Sequence, residues 1–187
     1  MLKKITPYVL VSFMLLSIAG CKDDVLPKPG GFLRLDYPVA NYANFSDGCP
    51  YGFYMNSNAF IKPEKNCSYT IHYPKMKATV YLTYKTVNGD IDKLLRDAQK
   101  LTYEHVIKAD AITEQPFVNR DKKVYGMFYS VGGNAATNSQ FYLTDSTKHF
   151  ITGSLYFYAK PNFDSIMPAA DYIKNDMQTL METLYWK

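Results

Sequence analysis

The chain has 187 residues, 47% hydrophobic and 16% aromatic, which suits one domain built around a single core. It is too apolar for a disordered chain and too mixed for a multi-pass membrane protein. The formal charge of +4 falls to about +2 once Lys3 and Lys4 of the leader are set aside, with no clustered basic face, so charge gives nucleic-acid binding no support.

The first 20 residues read as a signal peptide. Lys3 and Lys4 form a positive start, and Tyr8 to Ile18 is an uncharged, mostly apolar run of 11 residues. A transmembrane helix needs roughly 18–20 such residues, so this run is too short to span. Ile18-Ala19-Gly20-Cys21 then places an aliphatic residue and two small residues before a cysteine. This resembles the bacterial lipobox, in which the cysteine sulfur receives diacylglycerol and the preceding peptide bond is cut. The small residues let a peptidase hold the backbone beside the modified cysteine. Acyl chains contribute about 0.8 kcal/mol per buried CH₂, so a lipid on Cys21 would anchor a soluble domain to a leaflet. Lys22-Asp23-Asp24 resembles a surface-export signal of some Bacteroidota lipoproteins, with a solvated linker as the alternative. Val25 to Gly31 holds two prolines and two glycines and reads as a spacer, so residues 21–31 form a lipidated, flexible start.

Residues 32–187 are expected to form one globular domain. Phe32 to Tyr37 alternates as a first strand closed by Pro38. Asn41 to Lys65, rich in Asn, Gly, Pro and Tyr, reads as irregular with short strands. Ser68–Tyr73 and Ala78–Lys85 carry large apolar residues at every second position, the period of a strand. Asn88-Gly89-Asp90 makes a turn in which Asp90 caps a helix running to about His105 or Lys108. Four strands follow, Ala111–Val118, Lys123–Val131, Ser139–Thr144 and Phe150–Ala159. Short turns join them, one at Gly132-Gly133-Asn134, and favour an antiparallel meander. Ile166, Ala169, Ala170, Ile173, Met177, Leu180, Met181 and Leu184 then recur at helical spacing in a closing segment that runs to Trp186. Pro168 is best tolerated in a first turn, which predicts a helix start near Met167 or Pro168. Met177 and Met181 read as core filling. The order predicts an α+β fold, a largely antiparallel sheet with helices packed on it. By analogy it looks like the PsbP/Mog1 type of α/β/α sandwich.

Once Cys21 is acylated, Cys49 and Cys67 remain, 18 residues apart in an exported chain. A structural disulfide is the expectation, adding roughly 3 kcal/mol, with buried free thiols or a metal pair as alternatives. Only His72 lies near them, too few ligands for zinc. No catalytic motif, metal site or cofactor site is recognised. His72, His105 and His149 read as hydrogen-bonded or solvated, and a helix C-terminus by itself favours a cationic His105. Asp145-Ser146-Thr147-Lys148-His149 puts acid, hydroxyl and imidazole side by side, but without the elbow of a nucleophile it reads as a hairpin turn. Asp145-Ser146-Thr147 and Asp164-Ser165-Ile166 also match a short O-glycosylation pattern of Bacteroidota. Sixteen of the 17 tyrosines lie beyond the leader, more than a core of this size buries, so some are expected to form a partner surface.

Several blocks stand in an order known from one family: Pro27-Lys28-Pro29-Gly30, Cys49-Pro50-Tyr51, Tyr81 to Lys85, His105 to Ile112, Gln140 to Phe150 and the closing Trp186-Lys187. On these, the chain resembles the GldD gliding-motility lipoproteins of Bacteroidota. The resemblance implies a lipoprotein of the outer membrane, on its periplasmic or cell-surface side. It implies a role in gliding and in the linked type IX secretion system, exercised on protein partners of that machinery. It brings no catalytic residue, and only Cys21 carries over, as the lipid site. A non-enzymatic accessory protein is therefore the expectation. The alternatives are an envelope enzyme on glycan, peptidoglycan or lipid built around His149 and Asp145, or a small-ligand module with a Tyr-lined surface.

Overall fold

The computed structural model describes residues 37–103, 111–132, 137–158 and 163–187. In chain order these form β1 (Tyr42–Phe45), β2 (Tyr51–Asn56), β3 (Phe60–Pro63), β4 (Tyr69–Tyr73), a 3₁₀ turn (Pro74–Met76) and β5 (Ala78–Thr86). They continue with α1 (Ile91–Tyr103), β6 (Ala111–Asn119), β7 (Val124–Gly132), β8 (Thr137–Thr144), β9 (His149–Phe157), α2 (Phe163–Thr183) and β10 (Tyr185–Trp186). Every strand pair is antiparallel. A seven-stranded sheet runs β3-β4-β5-β9-β8-β7-β6, and a small sheet runs β1-β2-β10. The fold is α+β.

The meander read from the sequence is present as β6 to β9, and its last strand pairs with β5 in the middle of the sheet. Alternation assigns the faces. Val80 and Leu82 of β5, Phe141 and Leu143 of β8, and Ile151 and Leu155 of β9 point one way. They join one core cluster with Ile173, Met177, Leu180, Met181 and Leu184 of α2. The alternate residues Tyr142 and Phe150 point the other way, where Leu94, Ile91, Leu95 and Ala98 of α1 meet them. A helix therefore lies on each face. Fully burying an aliphatic side chain of this kind contributes about 1.5–3 kcal/mol, which is why the stripe of α2 dominates the core. Gly153 marks close packing in the core: a Cβ there would lie 2.2 Å from the Phe141 ring.

Four expectations need correction or lie elsewhere. The closing helix begins at Phe163, so Pro168 sits inside it rather than at its start. At the sixth position proline removes only one ladder hydrogen bond, a cost that the buried stripe beyond it offsets. The helix also stops at Thr183, because Tyr185 and Trp186 pair as a strand with Gly52 and Tyr51. The proposed first strand lies outside the described residues except for Tyr37, which is not in a strand, and the far end of the first helix beyond Tyr103 is also outside.

Candidate binding site: an aromatic pocket where the described chain begins

Two concavities of useful size open on the described surface. One, about 620 Å³, lies beside α1 and is lined by groups of both charges, Lys85, Asp90, Lys93 and Asp97 among them. The other, about 630 Å³, is predominantly apolar, in the range of ligand pockets. Its wall is built from four places in the chain: Tyr37-Pro38, Phe60, the segment Tyr73 to Met76, and Tyr172.

Local sequence explains each wall. Tyr73 is the last residue of β4, and Pro74 cannot continue the ladder, so the chain folds into a 3₁₀ turn. Lys77 ends that turn in the left-handed region at φ 50°. The turn carries exposed Pro74 and Lys75 and half-buried Met76. Phe60 opens the edge strand β3 and is 66% exposed. Tyr172, on the face of α2 next to the buried stripe, packs its ring 5.3 Å from that of Tyr37.

Beneath the pocket lies a polar network centred on Asp176, which is only 5% exposed. Tyr42 donates its hydroxyl to Asp176 Oδ1 at 2.6 Å, and Asn56 Nδ2 donates to Oδ2 at 2.9 Å. The Tyr73 phenol also lies near this carboxylate. Neutral donors thus meet a buried charge that would otherwise be costly. Burial, and then the Asp176 acceptor, push the Tyr42 phenol up to about 12. The same causes, burial first, raise Tyr73. Asn56 Nδ2 also reaches the Tyr172 hydroxyl at 2.8 Å, and that hydroxyl donates to the Pro38 carbonyl at 2.9 Å. Asn58 Nδ2 donates to the Val39 carbonyl at 3.1 Å. The segment Tyr37–Val39 is therefore tied to the pocket rim by side chains of two other elements. The arrangement offers aromatic and apolar area with one cation, Lys75, on its wall; it suits binding rather than bond-making.

The residues singled out from the sequence lie elsewhere. Cys21 and His105 fall outside the described residues, as do Gly133 and Asn134. Cys49 and Cys67 are joined by a disulfide with Cα atoms 5.5 Å apart. The Tyr51 hydroxyl donates to the Cys67 carbonyl at 2.7 Å, and Tyr69 donates to Asp47 at 2.5 Å beside Cys49. Asp145 and His149 do share one turn, but Asp145 is spent on the backbone. Its Oδ1 accepts the N–H groups of Thr147, Lys148 and His149, and Oδ2 accepts the Thr147 hydroxyl. Burial alone would raise Asp145, yet these four donors outweigh it and hold the carboxyl at about 2. His149 instead stacks on Trp186 at 5.0 Å and hydrogen-bonds Tyr84 at 2.8 Å. His72 lies between Thr70 and Thr79, 3.0 Å from each hydroxyl. Ser146 and Thr147 of the glycosylation pattern are exposed. Among the described residues no cluster of His, Cys, Asp or Glu could hold a metal, and no helix is long and apolar enough to cross a membrane.

Reading the sequence alone did not find the pocket residues. One signal was present: Asp176 stands among Ile173, Met177 and Leu180, a carboxylate on an otherwise apolar stripe. The number of tyrosines pointed to a partner or ligand surface, but not to which of them would form it.

The family described as gliding motility lipoprotein GldD matches residues 22–186, nearly the whole chain. The chain belongs to this family. The GldD match begins at the residue after Cys21 and so takes in the disulfide, the sheet and every residue of the pocket. Membership makes the protein a lipoprotein associated with gliding motility and with the cell envelope. No curated protein matches the chain.

Proposed function

We propose that this GldD-family protein is held at the outer membrane by a lipid on Cys21. There it serves gliding motility and the linked type IX secretion system by binding or stabilising other components, without catalysis. The observation that carries this reading is the family match from Lys22 onward, directly behind a leader and lipobox. The non-catalytic part is supported by the fate of Asp145 and His149, whose polar atoms serve the turn and the aromatic stack. Replacing Cys21 with Ala is expected to release the chain from the outer-membrane fraction and abolish gliding and secretion. Normal gliding with the released form would overturn the tether-dependent role. Ala at both Asp145 and His149 is expected to leave gliding intact in any variant that still folds, whereas its loss there would favour the enzyme. Crosslinking in intact cells is expected to capture machinery proteins; capture of none would overturn the partner role.

A second reading, a small-ligand module, is favoured by one observation, the aromatic pocket of about 630 Å³. A ligand recovered from the purified native protein, and lost when Tyr172 is replaced by Ala, would establish it.

A further inference from the structure

The pocket rim has features that the proposed function leaves unused. Val39 is 89% exposed and Phe60 66%, unusual for large apolar residues; Phe60 lines the pocket, and Val39 adjoins it, following Pro38 and bonded through its carbonyl to Asn58. They are accompanied by Tyr37, exposed Pro38 and Pro74, and half-buried Met76. Lys75 is the one charged residue lining the pocket, and no carboxylate lines it, among the described residues. Exposed apolar side chains grouped around a cation, with tyrosine beside them, match the chemistry of a membrane–water boundary.

The course of the chain supplies the occupant. The described chain begins at Tyr37, on the wall of this pocket, and Cys21 stands only 16 positions earlier. Fully extended, 16 residues reach about 55 Å, so the rim is always within one tether length of the lipid. A short tether gives an effective concentration of order mM, enough to make a weak surface contact persistent.

We propose that this rim is the domain's membrane-facing surface: Phe60 and Val39 enter the headgroup–acyl boundary of the anchoring leaflet, and Lys75 meets lipid phosphate. The inference rests on the Cys21 anchor proposed above. The docked domain then presents the other end of β4, with the disulfide, to the envelope components it serves.

The test uses the full lipidated chain carrying a single added cysteine, Phe60→Cys, labelled with an environment-sensitive fluorophore. Val118→Cys, on the exposed far-edge strand β6, serves as the control. Each is reconstituted with vesicles of phosphatidylethanolamine and phosphatidylglycerol containing an acyl-chain quencher. Both chains are expected to float with the vesicles, with most emission lost at 60 and none at 118. Adding Lys75→Glu is expected to restore emission at 60. A chain that floats with equal emission at 60 and 118 overturns the docking and leaves the anchor standing. A chain that does not float overturns the anchor and the docking with it. A label at 60 already shielded without vesicles points to a segment of this chain or a second copy as the occupant, and overturns the membrane assignment.

Discussion

Strand β4 carries a tyrosine at each end, and the two have different fates. Tyr69 lies in a closed cluster. Its ring packs edge-on against Tyr51, Tyr51 stacks on Tyr84 at 5.6 Å, and His149 and Trp186 complete the assembly. The disulfide and the C-terminal strand seal this end. Tyr73, four residues on, is buried too, at 5% exposure, yet it lines the wall of a cavity together with Tyr37 and Tyr172. Residue type, strand and burial are the same; what differs is the surroundings, a sealed aromatic cluster at one end and the wall of an open cavity at the other. The tail folds back over the first, as Trp186 does, whereas exposed Phe60 leaves the wall beside the second open.

The largest test strikes the closed end. Tyr51 is 2% exposed, and Tyr51→Ala is expected to cost about 3–5 kcal/mol, read as a lower urea midpoint with an unchanged slope. Replacing Cys49 and Cys67 together by Ser removes a crosslink between residues 18 apart and is expected to cost roughly 3 kcal/mol in the same measurement. Reduction of the wild type should reproduce that loss; an unmoved midpoint in either case would mean that stacking alone seals this end.

Between the two clusters lies the Asp176 network. Asp176→Ala leaves the donors of Tyr42 and Asn56 without this acceptor, and an effect of about 1–3 kcal/mol is expected. The network also predicts an alkaline limit. Tyr42 is raised from 10.0 to about 12 in the folded state. Its stabilisation is therefore complete below pH 10 and is lost as pH rises through about 12. A stability profile flat from pH 9 to 12, or one unchanged by Tyr42→Phe, would remove this assignment.

The opposite sign holds at the Asp145 turn. Its depressed value, about 2 against 3.8, gives stability that is present above pH 3.8 and lost as pH falls through about 2. Asp145→Ala is expected to cost about 1 kcal/mol at neutral pH, in the manner of a lost cap, and to flatten the acid limb of the profile. The smallest effect belongs to the open pocket. Phe60→Ser should change stability by no more than about 0.5 kcal/mol, because a side chain this exposed gives up little on folding. A larger loss would place Phe60 in a closed cluster after all and erase the contrast.

Local pattern carried the elements far. Alternation in Tyr69–Tyr73 and Ala78–Lys85 gave β4 and β5, and the Asn88-Gly89-Asp90 turn gave the helix start at Ile91, because these depend on neighbours in the chain. The closing helix was placed too late because Pro168 weighs heavily in a local argument. One lost hydrogen bond weighs little against a stripe buried by the whole sheet. The strand at Tyr185 and Trp186 was not read at all, because nothing in their neighbours reveals that Tyr51 and His149 wait for Trp186 across the fold.

What the sequence by itself determined is therefore what adjacent residues decide: the period of each strand and helix, the Asp145 turn, and the family blocks that name the process. The pocket belongs to the tertiary structure alone. Tyr37, Phe60, Tyr73 and Tyr172 come from four separate stretches, and the sheet and α2 bring them together. A cavity is the space that packing leaves unfilled, and no single stretch of chain records it.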